Sequence, residues 1–280
     1  MQILYNSGKE NRRDMLLTID IGNTSVSFAL FDTDARSETP LFTSKLSVQK
    51  NRSSDEYAAL IKNIIDLRFD SDYSIDCAAV SSVVPSVTDN VLKAAEILSS
   101  SKPYLIGPGI KTGFKININD PACLGADIVA NTAAALNICT APFIIFDAGT
   151  ANTITVIDSS CSLIGTIIMP GIRISSSSLH DNTELLDTVP ISSENIPLIG
   201  KNTDESVRSG LILGCSMMID GFIRNIRESL INKDHPVKLG LIATGGYAKL
   251  ITTNCRNKFI IDDSLTLRGI ASLYYKNIRK

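Results

Sequence analysis

The period of apolar and polar residues changes several times along the chain, and each change marks an element. Residues 16–19 (Leu-Leu-Thr-Ile) are a short apolar run that ends at Asp20-Ile21-Gly22-Asn23-Thr24; beyond it Val26, Phe28 and Leu30 alternate with Ser25, Ser27 and Ala29. Apolar residues on both sides of a polar Gly-Asn turn predict a β-hairpin. Ser53 and Glu56 have the spacing of a capping box, followed by Tyr57, Leu60, Ile61, Ile64 and Ile65 at helical intervals. The run Cys77-Ala-Ala-Val-Ser-Ser-Val-Val84 predicts a buried strand, and Pro85 then opens a helix carrying Val91, Leu92, Ala95 and Leu98. Strands alternating with helices predict α/β layering.

A second hairpin signal begins at Phe143-Ile-Ile-Phe146. Asp147-Ala148-Gly149-Thr150 follows, then a strand pattern in which Ile154 and Val156 alternate. This repeats the N-terminal unit, and Asp20 and Asp147 lie roughly one domain length apart. One Asp-x-Gly turn says little, because both residues are common in turns. Two in matched strand contexts predict two similar lobes. Between them Gly125-Ala126-Asp127 leads into an Ala-rich helix. Further on come Met169-Pro170-Gly171, the serines 175–178 (expected as a polar turn and helix start), a long helix from about Asp204 to Leu230, Ala243-Thr244-Gly245-Gly246, and a helix around Leu267–Asn277. Thr203, before Asp204 and Glu205, fits the N-cap of the long helix. The boundaries expected are an N-terminal extension over 1–14, one lobe over 15–122 and a second over 123–280.

With 280 residues, 44% hydrophobic and 20% charged, the chain has ordinary globular composition and enough length for two cores. A net charge of −2 gives no basic surplus for a nucleic-acid backbone. No stretch reaches the roughly 20 uninterrupted apolar residues of a membrane helix, and no apolar core of signal-peptide length precedes Asp20. The expectation is a cytoplasmic protein with no nucleic-acid or membrane partner. Six scattered cysteines without a Cys-x-x-Cys pair argue against zinc or redox chemistry. Of the two histidines, His180 and His235, neither stands in a recognisable motif, and no serine has a nucleophile-elbow context.

The absence of Gly-x-x-x-x-Gly-Lys-[Ser/Thr] excludes a P-loop. Two tight hairpin turns are another way to hold a triphosphate: glycine lets backbone N–H groups approach the phosphate, and a neighbouring aspartate offers oxygen to a hard cation. Thr24 and Thr150 add hydroxyl donors. This is the layout of the actin-like (ribonuclease H-like) ATPases, an α/β fold of two similar lobes with a nucleotide cleft between them. Phosphoryl transfer to an alcohol also needs a proton acceptor. Asp127, at the opening of the Ala-rich helix, has the right chemistry, although a helix dipole alone also favours an aspartate there.

The run Ile19-Asp-Ile-Gly-Asn-Thr-Ser-Val-Ser-Phe-Ala-Leu-Phe-Asp32 resembles the opening of the type III pantothenate kinases. Also similar to that family, in order, are SSVVP at 81–85, GPGIKTG at 107–113, GAD at 125–127, DAGTANT at 147–153, PGIRIS at 170–175, IGKNTDESVRSG at 199–210 and ATGG at 243–246. The resemblance covers residues 15–280. It implies ATP-dependent phosphorylation of the primary hydroxyl of pantothenate, the first step towards coenzyme A, by a homodimer that uses Mg²⁺ and a monovalent cation, K⁺ or NH₄⁺. Carried over, it assigns ATP phosphates to Asp20, Ile21, Gly22, Asn23, Thr24, Ser25, Val26 and Ser27, an ATP contact to Thr150 and the monovalent cation to Asp147. Asp127 becomes the proton acceptor within a substrate segment of Gly125, Ala126, Asp127 and Ile128, and Thr203 of the partner subunit contacts pantothenate.

Two positions depart from the pattern. The family has an arginine, paired with the pantothenate carboxylate, where this chain has Ile128, and usually a tyrosine where it has Ile118. Three readings follow. Another cation such as Arg173 or Lys201 takes the carboxylate, or the acceptor is a different small alcohol, or the chain is a non-catalytic ATP-binding or regulatory protein.

Overall fold

In a computed structural model the structure is described for residues 13–34, 38–69, 72–99, 101–192, 196–230 and 238–278. The first hairpin forms where the alternation places it. Strand β1 (Arg13–Ile21) pairs antiparallel with β2 (Ser25–Asp32), in register from Met15 opposite Asp32 to Ile21 opposite Val26. Arg13 and Asp14 already belong to this strand, so the expected extension over 1–14 runs two residues too far; residues 1–12 lie outside the described residues. β3 (Phe42–Ser47) adds to β2 antiparallel. Helix α1 (Ser54–Arg68) starts at the predicted capping box: the Ser53 Oγ accepts the Glu56 N–H at 3.3 Å, and Glu56 Oε2 accepts the Ser53 N–H at 2.7 Å. β4 (Tyr73–Ser82) lies parallel to β1; α2 (Pro85–Ser99) follows it, and β5 (Tyr104–Leu105) closes a sheet of order β3-β2-β1-β4-β5. Leu17, Ile19 and Ile21 face Tyr57, Ile61 and Val91 of the two helices, while Leu16 and Phe31 are fully buried as well. Burial of both faces explains why residues 16–19 read as a continuous apolar run and not as an alternation.

The second sheet repeats the first. β6 (Lys115–Ile116) and α3 (Ala126–Ala135) precede β7 (Phe143–Ala148), which pairs antiparallel with β8 (Ala151–Ile157), itself antiparallel to β9 (Ser162–Pro170). Next come α4 (Ile172–Asp181), α5 (Thr203–Arg208) and α6 (Gly214–Leu230). β10 (Gly240–Thr244), α7 (Ala248–Thr252), β11 (Ile260–Ile261) and α8 (Leu265–Asn277) complete the elements. β10 runs parallel to β7 and to β11, so the order β9-β8-β7-β10-β11 reproduces β3-β2-β1-β4-β5 in sequence and in strand sense, with β6 added beyond β9. Asp20 and Asp147 occupy equivalent places, each one residue before the end of its first strand.

The serines 175–178 lie inside α4 and not at its start, because the helix begins three residues earlier, with Gly171 as N-cap and Ile172 buried. α5, a π-helical turn over Ser209–Leu213 and α6 form one helix from Thr203 to Leu230. By length and composition it could cross a membrane, but Ile212, Ile219 and Ile223 along it are part of the core formed with β7 and β8. It is an amphipathic core helix.

The chain divides into two compact units. One groups the described residues up to Thr112 with Ala122–Ala134 and those from Thr266 onward; the other groups Gly113–Pro121 with Ala135–Leu265. Where the sequence reading places a single division between residues 122 and 123, these contacts assign α3 and α8 to the first unit. The two helices form a close pair, and the Lys111 N–H donates to Asn277 Oδ1 of α8 at 2.8 Å. A Cβ on Gly269 of α8 would collide with the Ala130 carbonyl of α3, and Thr266 Oγ1 donates to Asn131 Oδ1 at 2.7 Å.

Candidate functional site

In the first unit the tip of the β1–β2 hairpin is a tight turn closed by the Gly22 N–H donating to the Ser25 carbonyl at 3.0 Å. Asn23 and Thr24 stand exposed at the tip, Asp20, Gly22, Ser25 and Ser27 are half-buried, and Ile21 and Val26 anchor the turn in the core. The Thr24 carbonyl accepts the Val48 N–H at 3.1 Å, which ties the tip to the end of β3. Asp20 lies opposite Ser27 on β2 and Ser81 on β4. The turn therefore presents backbone and hydroxyl groups from a fixed support, with one carboxylate beside them.

Gly125, Ala126 and Asp127 enter α3, with Asp127 in its first turn. Its Oδ1 accepts the Ile128 N–H at 2.8 Å. That bond favours the charged form, but burial outweighs it and holds the Asp127 carboxyl above the ordinary carboxylate range. Raised basicity makes a carboxylate a better proton acceptor while it is ionised.

In the second unit Asp147 and Thr150 belong to the β7–β8 hairpin, where Asp147 lies opposite Thr153 on β8 and Thr244 on β10. Two glycines complete this corner; the sequence reading left Gly171 out of the site and gave Gly245-Gly246 only a weak signal, as an approach to the adenine or ribose. Gly171 donates its N–H to the Thr150 carbonyl at 3.2 Å, and a side chain on it would strike the carbonyls of Gly149 and Thr150. Gly245 has φ +91°, and a Cβ there would lie 2.6 Å from Asp147 Oδ1. Only the motif text around them, Pro-Gly-Ile-Arg and Ala-Thr-Gly-Gly, could have pointed to these two positions.

Thr203 is not the N-cap. Asn202 takes that role, its Oδ1 accepting the Glu205 N–H at 2.9 Å, and Glu205 Oε2 accepts the Lys201 N–H at 2.7 Å. Thr203 instead lines an open surface groove of about 600 Å³, together with Lys201 and the apolar side chains of Leu179, Leu186, Val207 and Leu211. Among the described residues no three or more His, Cys, Asp or Glu side chains come together as a metal cluster.

The sequence pattern of the type III pantothenate kinases matches residues 16–225. A type III pantothenate kinase of Halalkalibacterium halodurans is 32% identical over 94% of this chain and 100% of its own length. One of Rubrobacter xylanophilus is 34% identical over 94% and 98%. The chain belongs to the type III pantothenate kinase family. Its fold is also that of the activator of 2-hydroxyisocaproyl-CoA dehydratase from Clostridium difficile, solved with bound ADPNP (TM-score 0.51, 10% identity, 94% of each chain covered).

Within this family member the two departures from the pattern sit differently. Ile128 is buried, with 8% of its surface exposed, and belongs to the packing of α3. Ile118 is half-buried in the segment after β6. Of the cations considered as substitutes for the arginine, Arg173 is exposed in the first turn of α4, whereas Lys201 lines the groove beside Thr203. His180 Nδ1 lies 2.9 Å from the Leu186 carbonyl, a local contact; His235 lies outside the described residues.

Proposed function

We propose that this protein transfers the γ-phosphoryl group of ATP to the primary hydroxyl of pantothenate. The observation that carries the reading is the duplicated Asp-bearing hairpin in a chain that belongs to the type III pantothenate kinase family. The hydroxyl oxygen attacks the γ-phosphorus, the bond from phosphorus to the β–γ bridging oxygen breaks and ADP leaves. The hydroxyl proton passes to the Asp127 carboxylate. The turn from Asp20 to Ser27 holds the phosphates through backbone N–H groups and the hydroxyls of Thr24, Ser25 and Ser27, and Thr150 gives a further hydroxyl. Gly125, Ala126 and Ile128 shape the acceptor side around Asp127, with Thr203 of the partner subunit.

Asp20 and Asp147 are single hard-oxygen donors, each beside a turn. This fits cations that take one or two carboxylates and complete their shells with phosphate oxygens, carbonyls and water. A Mg²⁺ at Asp20 and a K⁺ or NH₄⁺ at Asp147 would neutralise charge on the phosphates. The protein is read as a cytoplasmic homodimer with no nucleic-acid or membrane partner. The solvent side of the long helix supports the dimer. Gly210, Gly214, Met217 and Met218 are exposed along it, and a Cβ on Gly210, Gly214 or Gly221 would meet nothing within 4 Å. Glycine at these places answers no crowding within the subunit and suits the close approach of a second one.

The test is ADP release with Mg²⁺-ATP and K⁺, with and without pantothenate, for the wild type and Asp127→Asn. Stimulation by pantothenate that vanishes in the variant is the expected result. No stimulation at millimolar pantothenate, from folded protein, would overturn the reading. Ile118 and Ile128 favour a second one, an uncharged alcohol as acceptor, for which pantothenyl alcohol in the same assay is the probe.

A further inference from the structure

We propose that the hydroxyls of Thr18 and Ser81 hold an internal water against the back of the Asp20 carboxylate, and that this water fixes the orientation in which Asp20 takes the divalent cation of the nucleotide. The cation comes from the kinase reading; the buried hydroxyls stand on the structure alone.

Side chains alternate across a strand. Leu17, Ile19 and Ile21 of β1 and Ala78 and Val80 of β4 belong to the core under α1 and α2, so Thr18, Asp20, Ala79 and Ser81 share the opposite face of the sheet. On that face Ser27, Asp20 and Ser81 form a row across β2, β1 and β4, and Ala29, Thr18 and Ala79 form the next row. Thr18 and Ser81 are both 0% exposed, and among the described residues Thr18 Oγ1 and Ser81 Oγ make no hydrogen bond with the protein. Buried hydroxyls on the helices do find partners: Thr132 Oγ1 donates to the Ile128 carbonyl at 2.8 Å and Ser216 Oγ to the Ile212 carbonyl at 2.8 Å. A strand offers no such carbonyl one turn back, because its own carbonyls are turned to the neighbouring strands.

The two orphaned hydroxyls lie beside one carboxylate, and the spacing selects what joins them. Ser81 is one inter-strand gap of about 4.8 Å from Asp20, and Thr18 lies two residues, about 6.6 Å, along the same strand. The longer span exceeds one hydrogen bond of about 2.8 Å and fits two such bonds with a water oxygen between them. That water accepts from Thr18 Oγ1 and Ser81 Oγ and donates one proton to the Asp20 carboxylate, which satisfies all three groups. Alanine at 29 and 79 keeps the flanks of Thr18 free of bulk. Asp20 is only half-buried, so the carboxylate held from behind still reaches the turn. Partners behind a metal-binding carboxylate set its orientation and the affinity for the ion. Thr18 and Ser81 are positioning residues; neither reaches the reacting atoms.

Thr18→Val, Thr18→Ser, Ser81→Ala and the wild type are compared by thermal melts of the nucleotide-free protein and by electron paramagnetic resonance titration of Mn²⁺ in the presence of ADP. Valine has the shape of threonine and removes only its hydrogen bonding. Thr18→Val and Ser81→Ala should lower the Tm and weaken Mn²⁺ binding by about 10- to 100-fold, while Thr18→Ser stays near the wild type in both. If the hydroxyls are dry, the sign reverses, because valine relieves a buried unpaired hydroxyl. A Tm unchanged or raised by Thr18→Val would therefore overturn the proposal, as would Mn²⁺ binding that neither Thr18→Val nor Ser81→Ala alters. Wild type that binds Mn²⁺ with ADP, with the expected losses in the variants, but does not phosphorylate pantothenate would leave the water site standing and refute the kinase reading. Wild type that binds no Mn²⁺ in the presence of ADP would refute both.

Discussion

Under the proposed mechanism Asp127 has opposing effects on stability and on chemistry. Burial raises its pKa relative to the unfolded chain, so between the two pKa values the folded state binds more protons than the unfolded one. Stability therefore falls as pH rises from the ordinary carboxylate range through the folded pKa, and stays lower above it. Asp127→Asn removes the buried charge. It should lower kcat by about 10²- to 10⁴-fold yet raise the Tm at pH 7–8, the gain shrinking as pH falls through the carboxylate range. Thermal melts at several pH values read this directly, and a Tm that drops at every pH would contradict it. For the wild type, kcat should decline with acidification around a pKa higher than that of an ordinary aspartate. Gly245→Ala tests a different constraint, since the new Cβ demands space held by Asp147 Oδ1 at a left-handed φ of +91°. The backbone conformation alone should cost about 1–2 kcal/mol, seen in urea unfolding, and displacement of Asp147 should weaken activation by K⁺.

At the level of elements, the α3–α8 contact supports the helix that carries Asp127. Because Gly269 lies against the Ala130 carbonyl, Gly269→Ala must separate the helices. A loss of roughly 1–3 kcal/mol, as for other overpacked sites, should accompany a fall in kcat, although residue 269 touches no reacting atom under the proposed mechanism. Unchanged stability would show that α8 shifts freely. The hairpins, the capping box at Ser53 and the duplication were legible in the sequence, because local alternation and spacing determine them. The start of α4 was not, since it depends on Gly171 docking against Gly149 and Thr150, some twenty residues away in the chain. Nor was the contact of Gly245 with Asp147, or the choice of Asn202 over Thr203 as cap. Neighbouring residues of similar capping propensity compete there, and only the geometry decides between them.

At the scale of the whole molecule, the shared strand order of the two sheets accounts for two aspartates in equivalent turns, and the long helix adds a feature absent among the described residues of the first unit. If its exposed side joins two subunits, Met217→Arg places a charge in that interface and should yield monomers in light scattering while the secondary structure by circular dichroism is unchanged. A variant that stays dimeric would locate the interface elsewhere. The interleaving of the two units also bears on how the protein is made. Residues 113–121 and 135–265 of the second unit have all left the ribosome before α8 appears, whereas the first unit, though begun earlier, waits for residues after Thr266. Domains form as units during synthesis, so the unit begun first is finished last. Until then the nascent chain carries β1–β5 and α3 with the Gly269 contact unmade. A premature stop at position 269 would therefore damage the unit bearing Asp20 and Asp127 and leave every residue of the other one translated.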